Sequence, residues 1–201
     1  MRFTDKEFFD FEMANGLHPG NANFYAVHKK VADYILKYKP NFHADLGAGN
    51  SPLCKILQDN GVESDLFESN PYSCELQKEY GVKYILDIDF IDELDINGIV
   101  RNSFPYDFIT SIEVFEHIPD KKLLPFVSNL INCCKYFLFS STPYPNTPEF
   151  DEQWGHVNLK QTEEWIRIFT EAGFELLKEE TDYLQKNEIP TKWTLMFKSN
   201  A

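Results

Sequence analysis

The sequence predicts an α/β fold: a doubly wound, seven-stranded, mostly parallel sheet with an antiparallel C-terminal hairpin and helices on both faces. Three observations carry this. Five short runs rich in aromatic and aliphatic residues, from "FHADL" (42–46) to "KYFLFSS" (135–141), alternate with stretches of helical periodicity. A glycine loop, "GAGNSP", stands between the first strand and its helix. The last two strand-like runs, "FELLKEETDYL" and "TKWTLMFKS", lie too close together for a helical crossover, so they are expected to pair antiparallel.

The elements follow in order. "NFYAVHKKVADYILKY" places Phe24, Val27, Val31, Tyr34, Ile35 and Tyr38 at helical spacing, and Pro40 ends it. "FHADL" leads through the glycine loop to the helix "LCKILQDNG", with Ser51 available as a cap and Pro52 suited to the first turn. "SDLFE", the helix "PYSCELQKEYG" and "VKYILDI" supply strands two and three. "YDFITSI", the helix within "KKLLPFVSNLINCC" and "KYFLFSS" supply strands four and five. A proline-rich loop is expected next. "QTEEWIRIFTEAGF" is then a helix, capped near Gln161 or Thr162 and closed by Gly173. No repeat, low-complexity tract or linker interrupts the chain.

Composition narrows the function. With 201 residues, 43% hydrophobic and 25% charged, one globular domain over 1–201 is expected. The net charge of −13 would repel a phosphate backbone, so nucleic acid is not the expected partner. No apolar run approaches the ~20 residues that span a bilayer, and "MRFTDKEFFDFEM" is too acidic for a secretion signal. The expected location is the cytoplasm, without membrane association. Cys54, Cys74, Cys133 and Cys134 form no C-x-x-C pair and read as buried free thiols.

The loop "DLGAGNSP" points to a ligand. Gly47 and Gly49 permit a tight turn and close approach. A dinucleotide pattern would need a third glycine where Pro52 stands. Asp45 would disfavour a phosphate beside the loop and would suit an ammonium or sulfonium group. Glu68, ending the second strand, can accept from both hydroxyls of a ribose, with Ser69 beside it. Asp87, ending the third strand, could accept from an adenine amino group, with Asp89 as its competitor.

Together "DLGAGNSP", "LFESNP", "LDIDF" and "YDFITSIEVFEHIPD" resemble the class I S-adenosylmethionine-dependent methyltransferases over about residues 40–200. Ser51 departs from the third glycine of many members. The resemblance implies a Rossmann-like core over 40–201 and an N-terminal helical cap, 1–39, over the site. It implies that Asp45, Gly47 and Gly49 line the methionine part of S-adenosylmethionine, Glu68 and Ser69 hold the ribose, and Asp87 and Ile88 flank the adenine. Glu113 would lie near the methionine end and the acceptor.

"SIEVFEHIPD" sets Glu113, Glu116 and His117 three and four residues apart. His156, after the fifth strand, would reach the same carboxyl edge of the sheet. Glu-x-x-Glu-His with a distant histidine resembles two metal-assisted O-methyltransferase groups, one acting on catechol-type ubiquinone precursors and one on the terminal 2′-hydroxyl of small RNAs. That resemblance implies Mg²⁺, Mn²⁺ or Zn²⁺ held by Glu113, Glu116, His117 and His156. The same motif also resembles metal-free members, so three roles stay open: metal ligands, an unassisted base at His117 or His156, or braces for the loop. Tyr144, Phe150, Trp154, His18, Asn23 and Tyr25 are candidates for the acceptor side. The expected reaction is methyl transfer to a small soluble acceptor, at a hydroxyl. The alternatives are methylation of a terminal RNA ribose and a non-catalytic, cofactor-binding scaffold.

Overall fold

The computed structural model describes residues 3–87, 106–145 and 147–201. Its strands are β1 (Phe42–Leu46), β2 (Glu63–Glu68), β3 (Ile85–Asp87), β4 (Tyr106–Ile112), β5 (Cys134–Ser140), β6 (Phe174–Leu176) and β7 (Leu195–Ser199). Its helices are α1 (Asp5–Ala14), α2 (Ala22–Leu36), α3 (Leu53–Asp59), α4 (Pro71–Tyr80), α5 (Asp120–Leu130), α6 (Pro148–Trp154), α7 (Thr162–Glu171) and α8 (Lys178–Lys186), with a 3₁₀ turn at Phe115–His117. The seven strands form one sheet in the order β3-β2-β1-β4-β5-β7-β6. β1 to β5 pair parallel, and β7 runs antiparallel to both β5 and β6. The expected fold class is the observed one.

Three local expectations change. The run read as a long sixth strand stops at Leu176, and Lys178–Lys186 is helical. Thr181 and Leu184 are its buried residues, three apart on one helical face, and Glu179, Glu180 and Lys186 suit the helix dipole. The antiparallel pairing survives because β7 returns between β5 and β6. The expected proline-rich loop contains α6. Thr147 accepts from the Phe150 N–H at 3.2 Å, Pro148 opens the helix, and Gly155 ends it at φ 76°. At the glycine loop, Pro52 takes the cap position of α3, and Ser51 Oγ accepts from the Leu53 N–H at 3.1 Å.

Strand alternation sorts the core into two faces. On one, Phe137, Phe139 and Phe197 pack with Phe115, Trp165 and Phe169 in edge-on, tilted and stacked pairs, with centroids 4.9 Å apart in the edge-on pair Phe139–Phe169. On the other, Phe108, Leu138 and Met196 meet Val31 and Ile35 of α2, Leu53 and Leu57 of α3, and Leu184 of α8. All four cysteines are buried and free. No helix among the described residues is long and apolar enough to cross a membrane. From β1 the chain builds outward to β2 and β3, and β4 and β5 extend the other side. The switch therefore falls between β1 and β4, where such sheets open a crevice beyond the strands' carboxyl ends.

Candidate functional site

A cavity of about 880 Å³ occupies that crevice. Its wall includes Asp45, Gly47 and Gly49 after β1, Glu68 and Ser69 after β2, and Glu113, Glu116 and His117 after β4. His156 joins from the far end of α6, and Phe8 and Glu12 come from α1.

The glycine loop is held from both sides. The N–H groups of Gly47 and Ala48 donate to the Phe67 carbonyl at 2.9 and 3.1 Å. Gly47 has φ 70°, and a Cβ there would meet Val114 Cγ2 at 2.7 Å, so both backbone and space demand glycine. Glu68 receives three backbone N–H bonds: Gly49 on Oε2 at 2.7 Å, and Ser69 and Asn70 on Oε1 at 2.8 and 2.7 Å. Each carboxylate oxygen can accept twice, so Oε1 is filled and Oε2 keeps one site, enough for one ribose hydroxyl rather than the expected two. Burial still outweighs those bonds and raises the Glu68 pKa. Asp45 is 3% exposed and accepts from Thr110 Oγ1 at 2.5 Å; burial, against that bond, pushes it up to about 7. Asp87 pairs in register with Glu68 but is exposed and stands outside the cavity wall. Ile88 and Asp89 lie outside the described residues.

On the opposite wall, Glu113 directly follows β4 with φ 56°, a left-handed conformation uncommon for a residue with a Cβ. Its Oε1 accepts from Ser140 Oγ and, at 2.9 Å, from Trp193 Nε1. Glu116 is 1% exposed, accepts from Ser141 Oγ at 2.8 Å, and is pushed up to about 8 by burial and then by Glu113. Its carbonyl accepts the N–H groups of Val157 and Asn158 at 2.8 and 2.9 Å, which ties the β4 turn to the segment after α6. Each histidine has its Nδ1 engaged. His117 Nδ1 lies 3.3 Å from the Gly155 carbonyl, and His156 Nδ1 lies 2.9 Å from Asp151 Oδ1. Both partners are acceptors, so a neutral ring at either position carries its proton on Nδ1 and has its acceptor site at Nε2. One donor atom from each of Glu116, His117 and His156 lies within 4.8 Å of the other two, and the imidazole centroids are 5.0 Å apart. Glu113, the fourth member of the expected metal set, is not in this group.

The acceptor-side candidates divide. Phe150 and Trp154 line the cavity, whereas Tyr144, His18, Asn23 and Tyr25 do not. Trp154 packs against Phe8 and Phe11 of α1 at 5.2 and 4.9 Å, and the Phe3 N–H donates to the Gln153 carbonyl at 3.1 Å. α1 and α6 thus form one roof.

Sequence reasoning missed Glu12, Thr110, Asp151 and Trp193. Glu12 accepts from Asn50 Nδ2 at 3.1 Å, and burial, with Glu68 nearby, raises it to about 8. Asp151 carried a readable signal: it falls on the helix that "TPEFDEQWG" caps and ends, one turn before His156. Thr110 and Trp193 carried none, since their contacts depend on strand register and the C-terminal return.

Comparison with known proteins places this arrangement. A ubiquinone biosynthesis O-methyltransferase of Saccharophagus degradans is 23% identical over 111 residues, covering 55% of this chain and 44% of that protein. The chain spans less than half the length of the curated relatives it matches. A proposed sarcosine dimethylglycine methyltransferase from Galdieria sulphuraria superposes with TM-score 0.62 at 14% identity, over 89% of this chain and 85% of that one. Human N-acetylserotonin methyltransferase, solved with S-adenosylmethionine, gives 0.61 at 14% identity, over 98% of this chain and 57% of that one. Residues 27–179 match the family model of a methyltransferase domain, and the chain belongs to that family, within the class I S-adenosylmethionine-dependent methyltransferases.

Proposed function

We propose that this chain transfers a methyl group from S-adenosylmethionine to a hydroxyl of a small, soluble acceptor in the cytoplasm, with a divalent cation held by Glu116, His117 and His156. The observation that carries the reading is the convergence of one donor atom from each of these three residues, in the wall of the same cavity as the glycine loop.

The cofactor side fits the group. A Cβ at Gly49 would meet nothing nearer than Glu12 Oε1 at 3.8 Å, and Asp45, buried, and Glu68, half-buried, are carboxylates whose ionised forms a cationic ligand would favour. Asp45 and the glycines take the methionine part, and Glu68 with Ser69 takes the ribose. Bound there, S-adenosylmethionine would supply a methyl carbon activated by its sulfonium, with the carbon–sulfur bond as the one to break. The residues of the chain supply alignment and exclude water: Trp154 and α1 roof the site, and Glu113 shapes its floor.

Two imidazoles and a carboxylate form a donor set suited to Mn²⁺ or Zn²⁺, and Mg²⁺ in the presence of added oxygen ligands. A cation bound there supplies positive charge that eases loss of the acceptor's hydroxyl proton. Asp151 orients His156 for either task. A second reading rests on the Nε2 acceptor sites: without metal, Nε2 of His117 or His156 accepts the proton directly. The acidity of the chain favours a small acceptor over RNA.

The test is turnover of methyl-labelled S-adenosylmethionine over a panel of hydroxyl and amine acceptors, with and without chelator. Transfer to a hydroxyl that stops in chelator and returns with added metal is expected. Full activity in chelator removes the metal and leaves the histidine base. Cofactor binding without transfer to any acceptor favours the scaffold.

A further inference from the structure

A buried polar line runs through the face of the sheet under α2 and α3, among the apolar residues Phe108 and Leu138. Ser64, His43 and Thr110 are each 0% exposed; His43 on β1 pairs in register with Ser64 on β2, and Thr110 on β4 pairs with Asp45, two residues further along β1. His43 Nδ1 lies 2.7 Å from Ser64 Oγ, and its Nε2 lies 3.0 Å from Thr110 Oγ1. Thr110 Oγ1 lies 2.5 Å from Asp45 Oδ1, with the Ala44 carbonyl a distant competitor at 3.5 Å. The line therefore runs from the interior of the sheet to a carboxylate in the cavity wall.

We infer that His43 is a positioning residue for cofactor binding, acting through Thr110 on Asp45; this rests on the reading above that Asp45 faces the ammonium end of S-adenosylmethionine. The direction of each bond follows from donor arithmetic. An ionised carboxylate only accepts, so Thr110 must donate its single proton to Asp45. The Thr110 oxygen then needs a donor, which only an Nε2–H tautomer of His43 supplies. Nδ1 is left as an acceptor, and the Ser64 hydroxyl donates to it. Burial keeps His43 neutral, pushing its pKa down to about 3, so one ring proton is available and its place is set by the line. The chain of bonds commits Oδ1 of Asp45 to the protein and leaves Oδ2 for the ligand. If Asp45 is protonated, every bond can reverse: Asp45 donates to Thr110, Thr110 to Nε2, and Nδ1–H to Ser64. His43 holds one proton in both states, and the proton that differs is the one on Asp45. Binding a cation selects the first state.

The experiment compares affinity for S-adenosylhomocysteine with that for 5′-methylthioadenosine, which lacks the amino-acid part, and reads the His43 tautomer by ¹⁵N NMR in the S-adenosylhomocysteine complex. His43→Leu is expected to weaken S-adenosylhomocysteine about tenfold, the scale of one charge-assisted hydrogen bond, and to leave 5′-methylthioadenosine within about twofold. His43→Gln, which can place an amide N–H near the Nε2 position, is expected to restore most of the loss. Thr110→Val should give the same split, and it stands in if His43→Leu does not fold. The complex is expected to show the Nε2–H tautomer. Equal weakening of both ligands, or an Nδ1–H tautomer in the complex, overturns the inference in favour of a histidine that merely fills the sheet. Wild-type chain that binds neither ligand overturns the cofactor reading itself, an outcome distinct from both.

Discussion

The two walls of the cavity are built differently. The wall proposed to hold the cofactor comes from consecutive strand ends: Asp45 at the end of β1 with the glycines after it, then Glu68 at the end of β2, stitched by Gly49 N–H to Glu68. Its bonds are mainly to backbone N–H groups, which every sequence supplies. The acceptor wall needs distant parts: Glu116 and His117 after β4, His156 after α6, and Ser140 and Trp193 to hold Glu113. Its bonds run between side chains and carbonyls brought together by the fold. A wall made of local backbone tolerates change in the rest of the molecule; a wall made of distant side chains depends on α6 being formed.

This contrast predicts separable failures. The largest effect is expected at the acceptor wall. Glu116→Ala and His156→Ala should each lower turnover by about a hundredfold or more, the scale of lost acid–base or metal assistance. S-adenosylhomocysteine affinity should stay within about twofold, as read by calorimetry. A variant that loses both together shows that the walls are one unit. Next, Glu68→Ala should weaken S-adenosylhomocysteine at least about tenfold, because three backbone N–H groups lose their acceptor along with the ribose. Unchanged affinity would move the ribose elsewhere.

The smallest effect is on stability. Asp45 and Glu12 have folded pKa values of about 7 and about 8, above their ordinary values. The folded state therefore holds more protons than the unfolded one between those limits, and stability falls as pH rises. Glu116 acts in the same direction. His28 and His43, lowered by burial, act oppositely but only below their ordinary value of 6.5. Between pH 6.5 and 8 the carboxylates act alone among these groups, so urea denaturation should show less stability at pH 8. Glu12→Gln should flatten that slope by on the order of 1 kcal/mol per pH unit. An unchanged slope would show that α1 does not bury Glu12 in solution.

The same contrast explains what could be read from the chain. The strands, the glycine loop, Glu68 and the Glu116–His117 pair were legible because each rests on spacing within one element. The position of His156 was legible only as far as strand order places its loop at the carboxyl edge. α6 was obscured by proline density, although Thr147, Pro148 and Gly155 are ordinary helix start and stop signals. "FELLKEETDYL" as one strand misses α8, although the Thr181–Leu184 spacing favours a helix. Glu12 and Trp193 were illegible because nothing local marks a residue that reaches across the fold.

Gly47 and Val114 touch across the two walls. Their freedom to drift over evolutionary time is unequal. Residue 114 can shrink to alanine and leave the loop conformation untouched. Residue 47 cannot grow even then, since removing the valine methyls relieves the clash but not the φ of 70°. Among descendants of this chain, variation at 114 should be common and should never license variation at 47.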